Sequence, residues 1–189
     1  MKAMGSATMD GTYHAVVIGA SAGGMKALLG VLAPLSAEFR LPVVVAQHVH
    51  ATQGPCFVEH LNRETSLTVK EAQDKETVQS GFVYVAPPNY HLLVERGGTL
   101  SLSIDEKVNF SRPSIDVLFE SAAHAWAPGL IGVILTGANH DGAQGLRLIR
   151  ELGGLTIAQD PATADYPFMP QAAIDAGAAW DVLPIAEIS

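Results

Sequence analysis

Apolar residues along this chain fall into two patterns that alternate from the N-terminus to the C-terminus. Short continuous apolar runs are typical of strands buried on both faces of a parallel sheet, and apolar positions recurring every three to four residues are typical of helices packed on such a sheet. The runs predict strands at residues 13–18, 41–46, 67–70, 82–86, 130–135, 155–158 and 180–183. The recurring positions predict helices at residues 25–32, 54–63, 114–127 and 143–152.

This order of elements predicts an α/β fold: a doubly wound, mostly parallel sheet with helices on both faces. Residues 91–95 and 99–103 flank a Gly-Gly pair and predict a β-hairpin insertion. Residues 1–12 are small and polar without periodicity, so we expect a flexible tail before a single domain at residues 13–189.

Composition narrows the classes of function. The formal net charge of −8 argues against nucleic-acid binding, which requires a basic stripe. The chain has no apolar run of roughly 18 residues and no signal-peptide pattern, so we expect no membrane insertion. Cys56 is the only cysteine, which excludes an intrachain disulfide and fits a cytoplasmic location. Because it lies beside Phe57 and Val58 in a predicted helix, we expect Cys56 in the core rather than as a nucleophile.

The turn after the first predicted strand carries the first candidate catalytic residue. Residues 19–24 read GASAGG and fit G-x-S-x-G, a sharp strand-to-helix turn that exposes a serine hydroxyl. Ser21 is therefore a candidate nucleophile, and the N–H of Ala22 at the start of the next helix is a candidate oxyanion donor. A phosphate-binding loop and a purely structural turn remain alternatives. A dinucleotide fingerprint, however, would have glycine at position 21 and an acidic residue at position 48.

Two further turns supply partners for the serine. His48 follows the second predicted strand, where a neutral imidazole can accept the serine proton, and Asp141 follows the most apolar strand, where a carboxylate can hold the other ring nitrogen. The alternatives are a hydrogen-bonded core histidine and a helix-capping aspartate. A metal site is less favoured than a triad, because the spacing of the candidate ligands matches no zinc pattern. We therefore predict no metal, and we also predict no cofactor. The candidate ligands are His48, His50, His91, His140 and Asp141.

With these residues assembled, the sequence resembles the catalytic domain of chemotaxis protein-glutamate methylesterases of the CheB type over residues 13–189. Seven segments match in order, which makes the resemblance far more specific than the serine turn alone. They are VIGASAGG at 17–24, QH at 47–48, VAPP at 85–88 followed by His91, RPSIDVLF at 112–119, LTG at 135–137 followed by DGA at 141–143, QD at 159–160, and MP at 169–170.

The resemblance implies a serine hydrolase with Ser21, His48 and Asp141 as its catalytic triad. It implies removal of methyl groups from glutamate γ-methyl esters of a methylated chemoreceptor, through an acyl-enzyme, and deamidation of receptor glutamines by the same route. The alternatives are a catalytically silent signalling partner with the same fold and a nucleotide-binding oxidoreductase.

The sequence also departs from the family's pattern. The familiar T-G-M-G-x-D-G turn reads TGANHDG at residues 136–142, so Ala138 replaces a methionine that helps to shape the site. Residues 165–168 read DYPF in place of a small, apolar lead-in and predict a different rim. Such enzymes often carry an N-terminal phospho-receiver domain, whereas about a dozen residues precede the first strand here. We therefore expect a stand-alone form that is active without phosphorylation, or one gated by a separate regulatory protein.

Overall fold

A computed structural model describes residues 13–48 and 54–189, so the predicted tail and His50 lie outside the described residues. Seven strands form a central sheet, and two more form a separate hairpin. The sheet strands are β1 (Ala15–Ala20), β2 (Val43–Gln47), β3 (Thr68–Glu71), β4 (Phe82–Val85), β7 (Leu130–Ile134), β8 (Leu155–Gln159) and β9 (Asp181–Leu183). The hairpin strands are β5 (His91–Val94) and β6 (Leu100–Ser103), which pair antiparallel.

Five helices cover the sheet, and two short 3₁₀ turns lie at Pro161–Thr163 and Ile185–Glu187. The helices are α1 (Gly24–Leu32), α2 (Gly54–Glu64), α3 (Ile115–Trp126), α4 (Ala143–Glu151) and α5 (Phe168–Asp175). Every residue of β1 is buried, because its side chains point alternately to the two faces of the sheet and both faces are covered. Val16 and Ile18 pack with α1 and α2, whereas Ala15 and Val17 pack with α3, α4, α5 and the hairpin. The predicted doubly wound α/β fold is confirmed.

Two details differ from the predictions. Helix α5 was not predicted, because Pro167 and Pro170 lie three residues apart and discourage a helix. In the structure Pro167 is the N-cap and Pro170 lies in the first turn, where no intrahelical N–H is needed. The expectation that Cys56 lies in the core is wrong, since its side chain is exposed. Phe57, one position on and about 100° around α2, is the residue that packs inward.

The strand order brings three loops together at the carboxyl edge of the sheet. The order is β3-β4-β2-β1-β7-β8-β9, and every neighbouring pair is parallel. Strand β1 therefore lies between β2 and β7, at the point where the order changes direction, and ligands of open α/β sheets bind at such a point. Backbone bonds continue into the loops: the N–H of His48 donates to the oxygen of Ala20 (3.1 Å), and the N–H of Ser21 donates to that of Thr136 (3.0 Å).

Candidate active site

The side chains of Ser21, His48 and Asp141 form a continuous hydrogen-bonded chain at this edge. The Ser21 Oγ lies 3.1 Å from the His48 Nδ1, and the His48 Nε2 lies 2.9 Å from the Asp141 Oδ2. A carboxylate only accepts hydrogen bonds, so these partners assign the proton to Nε2 and leave the lone pair of Nδ1 facing the hydroxyl. The Asp141 side chain is fully buried and that of His48 is 14% exposed. The aspartate end of the hydrogen-bonded triad is therefore shielded from solvent, whereas His48 is in contact with it.

Asp141 is held by four groups besides His48, and all of them belong to α3 or to the loop that precedes it. The Ser114 hydroxyl (2.9 Å), the Ile115 N–H (2.7 Å), the Asp116 N–H (3.2 Å) and the Asn109 Nδ2 (2.8 Å) donate to its carboxylate. The carboxylate thus lies at the positive end of α3, where negative charge is favoured. The alternative of Asp141 as the cap of its own helix is wrong, since Gly142 is the N-cap of α4 and no side chain caps it.

These contacts set the protonation of two buried carboxyl groups. Burial opposes ionisation of Asp141, but the hydrogen bonds from His48, Asn109 and the Ile115 N–H outweigh it and hold its pKa below the ordinary value. Asp116 shows the opposite balance. Burial raises the pKa of its carboxyl and the charge of Asp141 raises it further, against hydrogen bonds from the Gly145 N–H and Asn109. Of the two carboxyl groups, Asp141 is therefore the one that ionises more readily.

Asn109 links the two carboxyl groups. Its Nδ2 donates to Asp116 (2.8 Å) and to Asp141 (2.8 Å) from a left-handed backbone conformation, with φ of 51°. Asn89 has a similar φ of 65° but an exposed side chain. The two asparagines thus share a backbone conformation and differ in what the carboxamide does.

We expect Asn109→Gly to lower the free energy of unfolding by about 2 kcal/mol at pH 7, because it leaves two buried carboxyl groups without their shared donor. Glycine is used since it accepts positive φ. The lost bonds favour the ionised carboxylates, so their contribution is present at neutral pH and disappears as the pH falls through the folded pKa of each group. Urea unfolding at pH 7 and at successively lower pH values, down to about pH 2.5, measures both effects.

The matched control is Asn89→Gly, which should change the free energy of unfolding by no more than about 0.5 kcal/mol relative to wild type. Equal destabilisation by the two variants would show that the backbone, and not the bridging carboxamide, is responsible.

Gln47 and Thr136, both buried, hold the loops that carry Ser21 and His48. The Gln47 Nε2 donates to the backbone oxygens of Ser21 (2.8 Å) and His48 (2.9 Å). A Cβ at Gly24 would lie 1.9 Å from the Gln47 Oε1, so only glycine fits there. The Thr136 hydroxyl donates to the oxygen of Ala22 (3.0 Å). The position of Ser21 is therefore set by side chains at the ends of two other strands, β2 and β7.

A cleft of about 590 Å³ opens beside Ser21. Ala22 and Gly23 line it where α1 begins; Gly23 has φ of 78°, and no side chain caps this helix. Helix N–H groups without a side-chain cap are available to an anion. Ala138 is exposed and lines a neighbouring hollow of about 400 Å³ together with Tyr166 and Phe168. The small side chain at position 138 leaves this part of the rim open.

Of the other candidate metal ligands, the structure describes His91 and His140, and neither forms a metal site with the triad. His91 is buried and satisfied, since its Nε2 lies 2.9 Å from the oxygen of Glu106 and its Nδ1 accepts from the N–H of Ser114. His140 is exposed. Across residues 13–48 and 54–189, no three His, Cys, Asp or Glu side chains form a group that could hold a metal ion. Within those same ranges, no helix is long and apolar enough to cross a membrane.

Three residues outside the predicted site contact the triad through their side chains. Ser114 and Asn109 bind Asp141, and Asn139 contacts His48. Ser114 has the signature of a helix N-cap, and its hydroxyl is within 3.5 Å of the Val117 N–H. No local pattern marks Asn109 or Asn139 as a contact of the triad, because Asp141 and His48 lie 32 and 91 positions away from them.

A Ser–His–Asp chain at the carboxyl edge of a doubly wound parallel sheet defines an α/β domain with the geometry of a serine hydrolase. The family model described as CheB methylesterase matches residues 16–189, and the chain belongs to this family.

Relatives and a solved structure agree with this family. A protein of Leptospira interrogans is 51% identical over 177 residues, which are 94% of this chain and 92% of that protein. A Mesorhizobium japonicum protein, named protein-glutamate methylesterase/protein-glutamine glutaminase, is 44% identical, and the match covers 92% of this chain but 51% of that protein. The crystal structure of the Thermotoga maritima CheB methylesterase catalytic domain superimposes with a TM-score of 0.89 at 36% identity, covering 94% of this chain and 96% of that one.

Proposed function

We propose that this protein hydrolyses glutamate γ-methyl esters of chemoreceptors through an acyl-enzyme on Ser21, and that it deamidates receptor glutamines by the same route. The observation that carries the proposal is the chain of contacts from the Ser21 Oγ to the His48 Nδ1 (3.1 Å) and from the His48 Nε2 to Asp141 (2.9 Å). Relatives from Mesorhizobium japonicum and Caulobacter vibrioides, 44% and 41% identical, are named protein-glutamate methylesterase/protein-glutamine glutaminase.

In the acylation step His48 acts first as a base and then as an acid. The hydroxyl proton of Ser21 passes to the His48 Nδ1 while Oγ bonds to the ester carbonyl carbon. The carbon–methoxy bond then breaks, its electron pair stays on the methoxy oxygen, and the proton on Nδ1 moves to that oxygen to release methanol. Asp141 is ionised at neutral pH because its pKa is held low, so it stabilises the imidazolium that exists between these transfers.

Deacylation repeats the same roles with water. A water molecule gives a proton to the His48 Nδ1 and bonds to the acyl carbon, and the carbon–Oγ bond breaks. Ser21 takes the proton from His48, and the glutamate carboxylate and one proton leave. The site needs no other acid or base for this cycle.

The oxyanion of both tetrahedral intermediates lies at the start of α1 in this mechanism. The N–H of Ala22 follows the nucleophile directly, and α1 directs its uncapped N-terminal end at the same place. The bond from the Thr136 hydroxyl to the oxygen of Ala22 (3.0 Å) fixes the orientation of that part of the turn.

Methanol release and covalent labelling together test the proposal. The chain alone, without a phosphorylated receiver protein, should release methanol from membranes containing methylated chemoreceptor. A fluorophosphonate should stop the release and add one phosphonyl group to the peptide that contains Ser21, as measured by mass spectrometry. Receptor that has been demethylated beforehand is the control and should release nothing.

A catalytically silent signalling partner with the same fold gives a different result. Such a protein would bind receptor without releasing methanol, and its Ser21 would not react with the fluorophosphonate. Either of these two results would overturn the proposed enzyme.

A further inference from the structure

Asn139 lies beside the catalytic histidine with a side chain whose orientation is set by the backbone. Its Oδ1 accepts a hydrogen bond from the N–H of Asp141 (3.2 Å), which closes a local turn. A backbone N–H is only a donor, so the oxygen of the carboxamide must face it and the NH₂ group must face the other way. That group points to the triad: Nδ2 lies 3.5 Å from the His48 Nδ1.

The NH₂ group is available for a substrate. Its 3.5 Å contact with the His48 Nδ1 is long for a hydrogen bond, and Nδ1 already has the Ser21 hydroxyl at 3.1 Å. Within the described residues Nδ2 has no other partner, and the Asn139 side chain is only half-buried. A polar group placed between His48 and the cleft can therefore accept a hydrogen bond from the Asn139 Nδ2, and only the long contact with the His48 Nδ1 would be lost.

The His48 Nδ1 is the atom that gives the proton to the leaving group, so the leaving atom must come within hydrogen-bonding distance of it. Asn139 lies beside the same nitrogen. We propose that the Asn139 Nδ2 donates a hydrogen bond to the leaving methoxy oxygen, an inference that rests on the proposed function. As the carbon–oxygen bond breaks, its electron pair collects on that oxygen. The oxygen accepts a hydrogen bond from the Asn139 N–H and then takes the proton from His48. Asn139 itself neither gains nor loses a proton.

This role makes Asn139 a determinant of leaving-group specificity. Methoxide is a poor leaving group, so a donor on its oxygen lowers the barrier. A p-nitrophenoxide group spreads its charge over the ring and departs with little help. The nitrogen of a glutamine carboxamide carries two N–H groups and is a weak acceptor, so an N–H of Asn139 cannot help it in the same way. The site should therefore favour methyl esters over amides.

The experiment compares two esters of one acyl group. A receptor-derived peptide carries either a glutamate γ-methyl ester or a glutamate γ-p-nitrophenyl ester, and kcat/KM, which reports the acylation step, is measured for both. Asn139→Gly places in this chain the residue that the family's T-G-M-G-x-D-G motif has there. It should lower kcat/KM for the methyl ester about tenfold and leave the aryl ester within about twofold.

A second variant separates the donor from the turn. Asn139→Asp keeps an oxygen for the N–H of Asp141 but has no N–H to donate, so it should change the ratio of the two kcat/KM values in the same direction as Asn139→Gly. His140→Ala, at the neighbouring exposed position, is the matched control and should leave both values unchanged.

An unchanged ratio would overturn the inference. If both Asn139 variants slowed the two esters equally, the residue would act on the oxyanion or on the placement of His48, and not on the leaving oxygen. If wild-type protein hydrolysed neither ester, the proposed function itself would fail. The two failures are thus distinguished by the activity of the unchanged chain.

Discussion

Ser21→Ala should reduce methanol release from methylated receptor by about 10⁴ to 10⁶-fold, because removal of a triad nucleophile leaves only binding and oxyanion stabilisation. The fold should not change. Residue 21 is held in the turn through its own backbone. Its N–H donates to the oxygen of Thr136 (3.0 Å), and its oxygen accepts from the Gln47 Nε2 (2.8 Å). Alanine retains both hydrogen bonds. Thermal unfolding measured beside the methanol assay separates lost chemistry from lost structure.

Ser80→Ala is the control for the Ser21 variant. It removes the same hydroxyl at an exposed position and should keep both wild-type activity and wild-type stability. Residual methanol release by Ser21→Ala close to the wild-type rate would show that the ester is cleaved without this nucleophile, and the mechanism would have to be abandoned.

Asp141→Asn should lower kcat by about 10⁴-fold and also destabilise the fold. The size of the catalytic effect is the one known for the equivalent change in a serine protease, where the amide selects the wrong histidine tautomer. The destabilisation follows from the five donors around Asp141: both carboxylate oxygens accept, so an amide NH₂ must face at least one of these donors. We expect a loss of about 2–4 kcal/mol in the free energy of unfolding at pH 7.

The pH dependence of this loss gives a second measurement. The folded pKa of Asp141 lies below its unfolded value of about 3.9, so the ionised carboxylate contributes stability above that value. This contribution disappears as the pH falls through the folded pKa, and the difference between wild type and Asp141→Asn should shrink in acid. Asp175→Asn, the same change at an exposed position, is the control. Equal stability of wild type and Asp141→Asn at pH 7 would contradict the arrangement of donors described above.

The elements of the sheet could be predicted from the sequence because strands buried on both faces leave a local signal. The runs that end before Ser21 and His48 are continuous and β-branched, and the predicted ends of β1 and β2 lie within two residues of the observed ones. Helix α5 left no such signal, since Pro167 and Pro170 are compatible with a helix only if it begins between them, and the sequence does not mark that start. The exposure of Cys56 was likewise set by which side of α2 faces the sheet.

Some residues of the candidate site can be predicted from a local sequence pattern, and others cannot. The glycine-rich turn around Ser21 has a local cause, because a sharp strand-to-helix turn restricts its neighbours to small residues, and local causes are visible in sequence. Asn109, Ser114 and Asn139 act through contacts with Asp141 or His48 that are 27 to 91 positions apart along the chain.

The sequence by itself determined the alternation of strands and helices, the identity of the three side chains of the candidate triad, and their positions at strand ends. Only the tertiary structure decided which nitrogen of His48 faces Ser21, that Asp141 is bound by the start of α3, and that Asn139 directs its NH₂ group at the same histidine. The physical reason is that hydrogen-bond geometry depends on distances and angles between segments remote in sequence, which strand order and helix packing set.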